Sequence, residues 1–225
     1  MRIEFPPYNF PSRLYDFNLN KEIEFENYRQ LEKHIQNLLT HKEINKIKDG
    51  LSNVLFWGFY RIGYRDNRVK IFRQQVTDFQ LMAFSNLVKT NKINPISIKK
   101  LGLPQFSQFS FISKILMFIN PKRYVTLDKK IMNLKDPFNP DSPLTRIPYS
   151  ENDTGIRITK TSTKYYFEWC ELCSFIAKKI NSNKIAVDIE RGFFRLVEEE
   201  KTNYGREIIT SETKKLHALT ANNTP

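Results

Sequence analysis

The amino-acid sequence predicts an all-α fold, on three observations. Apolar side chains recur every three or four residues in successive stretches between residues 25 and 197. Residues suited to helix starts stand at the head of several stretches, at Thr77 or Asp78, at Pro95 and at Asp128. With 225 residues, 40% of them hydrophobic and 13% aromatic, the chain can bury the core of one large domain or two small lobes.

Residues 1–20, with Pro6, Pro7 and Pro11 among aromatics, read as an extended arm that packs by its rings. From Phe25 the spacing turns helical, and Phe25, Tyr28, Leu31, Ile35, Leu38 and Leu39 form one stripe. A second helix fits residues 44–62, more deeply placed towards Phe56, Trp57 and Phe59. GYRDNRVKIF, 63–72, reads as a basic connector with a short extended piece, and VTDFQLMAFSNLVKT, 76–90, as another helix. Pro95 opens a short helix, Leu101-Gly102-Leu103-Pro104 makes a tight link, and a longer helix ends before Pro121. So short a link makes residues 95–119 a helical hairpin. Residues 136–155 read as an irregular loop and GIRITKT, 155–161, as a brief strand; two helices follow over 164–180 and 186–197. One compact unit is thus expected over 21–197, with 198–225 as a polar, flexible tail.

Charge narrows the partners. Lys and Arg number 36 against 24 Asp and Glu, a formal net charge of +12 that favours a polyanion, with nucleic acid the first to consider. No apolar run approaches the length of a spanning helix, so no membrane partner is expected. The N-terminus lacks the cationic start and apolar core of a secretory signal, which predicts a cytoplasmic protein, nucleoid-associated when DNA-bound. Cys170 and Cys173 are the only cysteines, which excludes a disulfide framework.

Residues 111–130, FISKILMFINPKRYVTLDKK, carry the candidate chemistry. On a helical wheel Lys114 shares a narrow polar stripe with Ser107 and Ser110 in an otherwise apolar cylinder. Its ammonium either snorkels to water or sits in a cleft, where desolvation favours the nucleophilic amine. Asp128 precedes KKIMNL and suits an N-cap, a position that holds a carboxylate in one orientation. A cleft holding both groups would suit cleavage of an N-glycosidic bond. The amine would attack the sugar carbon, and the carboxylate would face the developing positive charge.

The order of short helix, tight hairpin, helix with embedded lysine, loop, then Asp opening a helix resembles the helix-hairpin-helix (HhH-GPD) DNA glycosylase superfamily. SKILMFINPKRYVTLD, with WCELCSFIAKKI and AVDIERGFF, looks most like its 8-oxoguanine-glycosylase-like branch. The resemblance covers about residues 50–196. It implies a two-lobed helical fold, double-stranded DNA as partner, no cofactor, and excision of a damaged or modified base. By it Asp128 is the catalytic carboxylate; Lys114, the candidate nucleophile on the residues themselves, would add AP-lyase activity if its amine attacks, and without it Asp128 would support a monofunctional glycosylase that activates water. Two departures stand out. Lyase-competent members keep their lysine about one helical turn earlier, where this chain has Ser110, and LGLPQFS holds one glycine, Gly102, where the family usually has two.

Lys99 and Lys100 before the hairpin link, and Lys122, Arg123, Lys129 and Lys130 around Asp128, lie where the resemblance would place the DNA backbone. Gly102, Ser107 and Ser110 would approach phosphate from the hairpin itself. Arg61, Arg65, Arg68, Lys70 and Arg73, interleaved with Tyr60, Tyr64 and Phe72, suit phosphates and base stacking, or form a solvated basic loop. Trp57, Phe109, Phe111 and Gln74 or Gln75 are candidate walls or readers for an extruded base. Cys170 and Cys173 read as packed thiols, since zinc would need His34, His41 or His217 from far along the chain. Two rival readings remain open. One is a non-catalytic DNA-binding module; the other is a metal-dependent nuclease drawing on Asp188, Glu199 and Lys201, or Glu212 and Lys214.

Overall fold

A computed structural model describes residues 3–181 and 183–222. The chain is predominantly helical and divides into two compact units, Asn9–Asn120 and Met1–Tyr8 with Pro121–Pro225. Among the described residues the sheet content is one antiparallel pair.

In the unit Asn9–Asn120 that pair is β1, Arg13–Asp16, and β2, Lys21–Glu24, with Leu14 opposite Ile23 and Arg13 bound to Glu24 at 2.9 Å. Asp16 shapes the turn by accepting from the Asn18 and Leu19 N–H groups. The hairpin occupies part of the expected arm. Helix α1 is Tyr28–Leu39, capped by Asn27, and α2 is Ile44–Gly58, buried almost continuously from Gly50 to Trp57. Around α2 gather β1, α1, α3 (Arg65–Gln75), α4 (Asp78–Lys89) and α6 (Phe109–Ile119). Asn53 on α2, 2% exposed, accepts from the Tyr15 N–H and donates to the Tyr15 carbonyl, giving β1 a surrogate neighbour strand. Phe10 packs on Trp57, as expected of an arm that docks by its rings. The basic connector expected at 63–72 is instead part of α3. That helix buries only Val69 and Phe72, one residue per turn, so its apolar stripe is too thin to stand out.

In the other unit the elements are α7 (Lys129–Met132), α8 (Pro143–Arg146), α9 (Lys160–Ile180), α10 (Ala186–Glu198) and α11 (Thr202–Asn222). Helices α9, α10 and α11 pack on one another, α8 lies on α9 and α7 on α10. The N-terminal arm joins this unit through Phe5, whose ring covers Gly192 so closely that a Cβ there would stand 2.3 Å from it. Tyr8 meets Phe194, and Arg195 donates to the Pro7 carbonyl.

Two expectations are corrected here. The flexible tail at 198–225 is largely α11, whose buried face includes Gly205, Ile208, Ile209, Glu212 and Thr213; residues 223–225 lie outside the described part. Ile156 and Ile158 are buried as a strand at 155–161 would have them, yet no strand pairs there, and Thr159 caps α9 instead. Among the described residues no helix is long and apolar enough to cross a membrane.

Glu212 fastens α11 to α9. Its carboxylate, 1% exposed, receives Lys179 at 2.7 and 2.8 Å and Lys215 at 2.7 Å. Burial alone would raise its pKa, but the two lysines hold it below the usual carboxylate range. A lowered folded-state pKa adds stability above the unfolded value, lost as pH falls through the folded one. Both lysines are half-exposed, so Glu212→Gln is expected to cost about 1–2 kcal/mol at pH 7. Urea titrations across pH should show that difference begin to shrink as pH falls through the unfolded-state carboxylate range of about 4.3 and disappear only below the lower folded-state value.

Candidate functional site

The helical hairpin is built as expected in outline. Asn94 and Ser97 cap α5, Pro95–Lys100, with Pro95 in its first turn. Gly102 then takes φ +61°, a left-handed conformation that reverses the chain at low cost for glycine. The link runs on to Gln108, so α6 starts at Phe109, and Ser107 lies outside the helix rather than on its polar stripe. Gln80, at the start of α4, braces the turn by donating to the Leu101 and Gly102 carbonyls at 3.1 and 2.9 Å. Lys99, Lys100, Gly102 and Ser107 are exposed together on this hairpin.

Lys114 is 7% exposed, so it does not snorkel. Its Nζ donates to Ser110 Oγ at 3.0 Å and to the Ser110 carbonyl at 3.3 Å, and lies 5.2 Å from the centre of the Phe111 ring. The expected pairing of Lys114 with Ser110 on one helical face is therefore present. Gly58 makes the room, because a Cβ there would stand 2.6 Å from the Phe111 ring and 3.2 Å from Lys114 Cδ. Phe59 stacks on Phe111 at 4.3 Å. Neither Gly58 nor Gln80 was apparent as a site residue from sequence. The signals were a glycine amid FWGFY and the Thr77-x-x-Gln80 spacing of a capping box, which α4 forms.

The basic segment 61–73 divides: Arg65 and Arg73 are partly buried, whereas Arg61, Arg68 and Lys70 are exposed. Arg65 lies 3.9 Å over Phe56 and binds Glu22 and Asp66, while Arg73 lies over Phe17 and binds Asp49 at 2.7 Å. Arg68 is exposed and donates to Gln105 in the hairpin link at 2.8 Å, which puts it beside the lysines of that element. Trp57, Phe109 and Phe72 are core; Phe111 is half-buried, and Gln74 and Gln75 are exposed.

In the other unit Tyr124 to Leu127 are buried and belong to no helix or strand. Tyr166 donates to the Val125 carbonyl at 2.9 Å, and Thr126 bonds Glu190. The chain then reaches Asp128, which caps α7 as expected, accepting from the Ile131 N–H at 3.1 Å. Lys122, Arg123 and Lys129 are exposed nearby, whereas Lys130 is half-buried and pairs with Glu198 at 3.0 Å.

Cys170 and Cys173 are buried free thiols, as expected of packed side chains. Burial pushes Cys170 up to about 12 and Cys173 well up, so both stay protonated at neutral pH. Asp188 is spent on the α10 N-terminus, Glu199 on Arg195 and Lys201, and Glu212 on its lysines. Among the described residues no group of three His, Cys, Asp or Glu side chains could hold a metal ion. No family model, curated protein or solved structure matches the chain.

Gly58→Ala should force Phe111 and Lys114 aside and lose about 1–3 kcal/mol in urea unfolding. Gly63→Ala meets nothing within 4 Å and should stay within about 0.5 kcal/mol of wild type.

Proposed function

We propose that the chain binds duplex DNA through its helical hairpin and excises a damaged or modified base as a helix-hairpin-helix DNA glycosylase. The observation that carries this reading is Lys114, a buried amine held by Ser110 on the second helix of the hairpin. Such burial is costly for a merely structural cation. The exposed Lys99 and Lys100, with the left-handed Gly102 between them and α6, supply the charge and close backbone a phosphate needs. The formal charge of +12 supports the same partner.

In the chemistry proposed, the Lys114 amine nitrogen forms a bond to C1′ while the glycosidic C–N bond breaks. The base leaves with the bonding pair and takes up a proton. Loss of an amine proton and opening of the sugar ring, whose oxygen is protonated, give a Schiff base. Asp128, fixed as an N-cap, is the residue to which the resemblance gives the family's catalytic carboxylate role. The 8-oxoguanine-like resemblance makes oxidised guanine the first base to try.

Duplexes carrying 8-oxoguanine, uracil, alkylated or hypermodified bases are expected to yield an abasic product from at least one lesion, unaffected by EDTA. Borohydride should trap a covalent adduct that Lys114→Met abolishes. An adduct surviving that change removes Lys114 from the role. Binding without base release across the panel leaves a non-catalytic module, and magnesium-dependent cutting of undamaged DNA sinks the reading outright.

Charge reversal at Lys99 and Lys100 should weaken all duplexes alike. It should also flatten the slope of log affinity against log salt by about 2, for two lost phosphate contacts.

A further inference from the structure

In the unit that contains α9, the segment before Val125 and the α9 surface enclose a concavity of about 440 Å³, within the size range of small-ligand sites. Phe167 and Phe175 on its lining stand two turns apart on α9, ~12 Å along the helix axis. Tyr124 lines the same space. It is 6% exposed, and among the described residues its hydroxyl makes no hydrogen bond. The hydroxyl is not among the buried unsatisfied atoms, so it faces the open concavity and can donate to an occupant there.

Charge at the rim is equally uncommitted. Arg123, whose guanidinium lies over the Tyr124 ring at 5.1 Å, and Lys178 are exposed and enter no ion pair among the described residues. Elsewhere in this unit Lys130, Arg146, Lys179 and Arg195 are all paired. The lining's carboxylate, Glu171, is likewise exposed and without a cation among the described residues. Aromatic walls, a phenol hydroxyl facing the concavity and two unpaired cations form a combination suited to a flat heterocycle that carries a phosphate.

We propose that this concavity binds a nucleotide, its base against the aromatic side chains and its phosphate on Arg123 and Lys178. The same chemical group occurs as a free mononucleotide or at the 5′ end of a strand. Glu171 selects the base: a carboxylate accepts two hydrogen bonds from N1–H and N2–H of guanine, whereas adenine offers no such pair of donors. The site shares Arg123 with the candidate DNA-backbone contacts, but the duplex reading rests on the hairpin, and Tyr124, Glu171 and Lys178 play no part in it.

Calorimetric titration of the intact protein with GMP, AMP and a 5′-phosphorylated single-stranded oligonucleotide that begins with guanine tests the assignment. GMP is expected to bind with a Kd below about 1 mM. Lys178→Glu should weaken it about tenfold or more, and Tyr124→Phe by about three- to tenfold. Tighter binding of the oligonucleotide than of GMP assigns a strand end, and the reverse order assigns free nucleotide. Glu171→Gln should erase the preference for GMP over AMP; equal affinities in the unsubstituted protein overturn the role given to Glu171. No uptake of any of the three at millimolar concentration, or affinities indifferent to Lys178→Glu in a variant that unfolds like wild type, overturns the site. Charge reversal at Lys99 and Lys100 should leave GMP binding intact, which separates this result from the fate of the duplex reading.

Discussion

The segment Tyr124 to Leu127 imposes the governing constraint on its unit. Its residues are all buried, yet it belongs to no helix or sheet, so its peptide groups must be satisfied by side chains from elsewhere. Tyr166 of α9 answers that need at the Val125 carbonyl, Glu190 of α10 holds the Thr126 hydroxyl, and the N–H of Val187 bonds the Pro121 carbonyl just upstream. Register follows from these bonds. They fix where Tyr124 meets the α9 surface and where the chain emerges at Asp128 to cap α7. A hydroxyl and a carboxylate deep in a helical bundle thus decide the placement of two candidate functional groups.

The large positive charge is divided between two chemistries. Arg65 and Arg73 lie over Phe56 and Phe17, each with a carboxylate partner, and serve as packing elements, while the exposed Arg61 and Arg68 lie over Phe10 and Tyr64. A weakly hydrated planar cation suits such partly buried stacking. The exposed cations are more often lysines, Lys99, Lys100, Lys122 and Lys129 among them, whose compact charge stays hydrated. Each ion pair cancels one cation against one anion, so the surplus of +12 rests with the cations left unpaired.

Where one side chain decides a local structure, the sequence was informative. Asp128 as a cap, the reversal at Gly102, the capping Thr77 and the face shared by Ser110 and Lys114 were all legible, because each depends on neighbours within four residues. Legibility failed where burial is supplied by distant elements. The inner face of α11 includes Glu212 and Thr213, polar residues satisfied or enclosed by packing, so no apolar stripe announces it. β1 and β2 are four residues each and need Asn53 from α2 for support. Residues 155–161 show the converse: strand-like alternation at Ile156 and Ile158 with no neighbour to pair.

The seat of Phe5 on Gly192 bears on how the chain is made. Phe5 precedes Gly192 by 187 residues, so one unit is assembled from two stretches far apart in the chain and carries one of the longest loop closures in the molecule. Asn9–Asn120 is continuous and has every residue of its core once Asn120 has left the ribosome. The other unit must wait for α10, and meanwhile the nascent arm keeps its rings in solvent. A protein started after the arm would carry a permanent bare slot along α10, an apolar surface open to chaperones or to the arm of another copy.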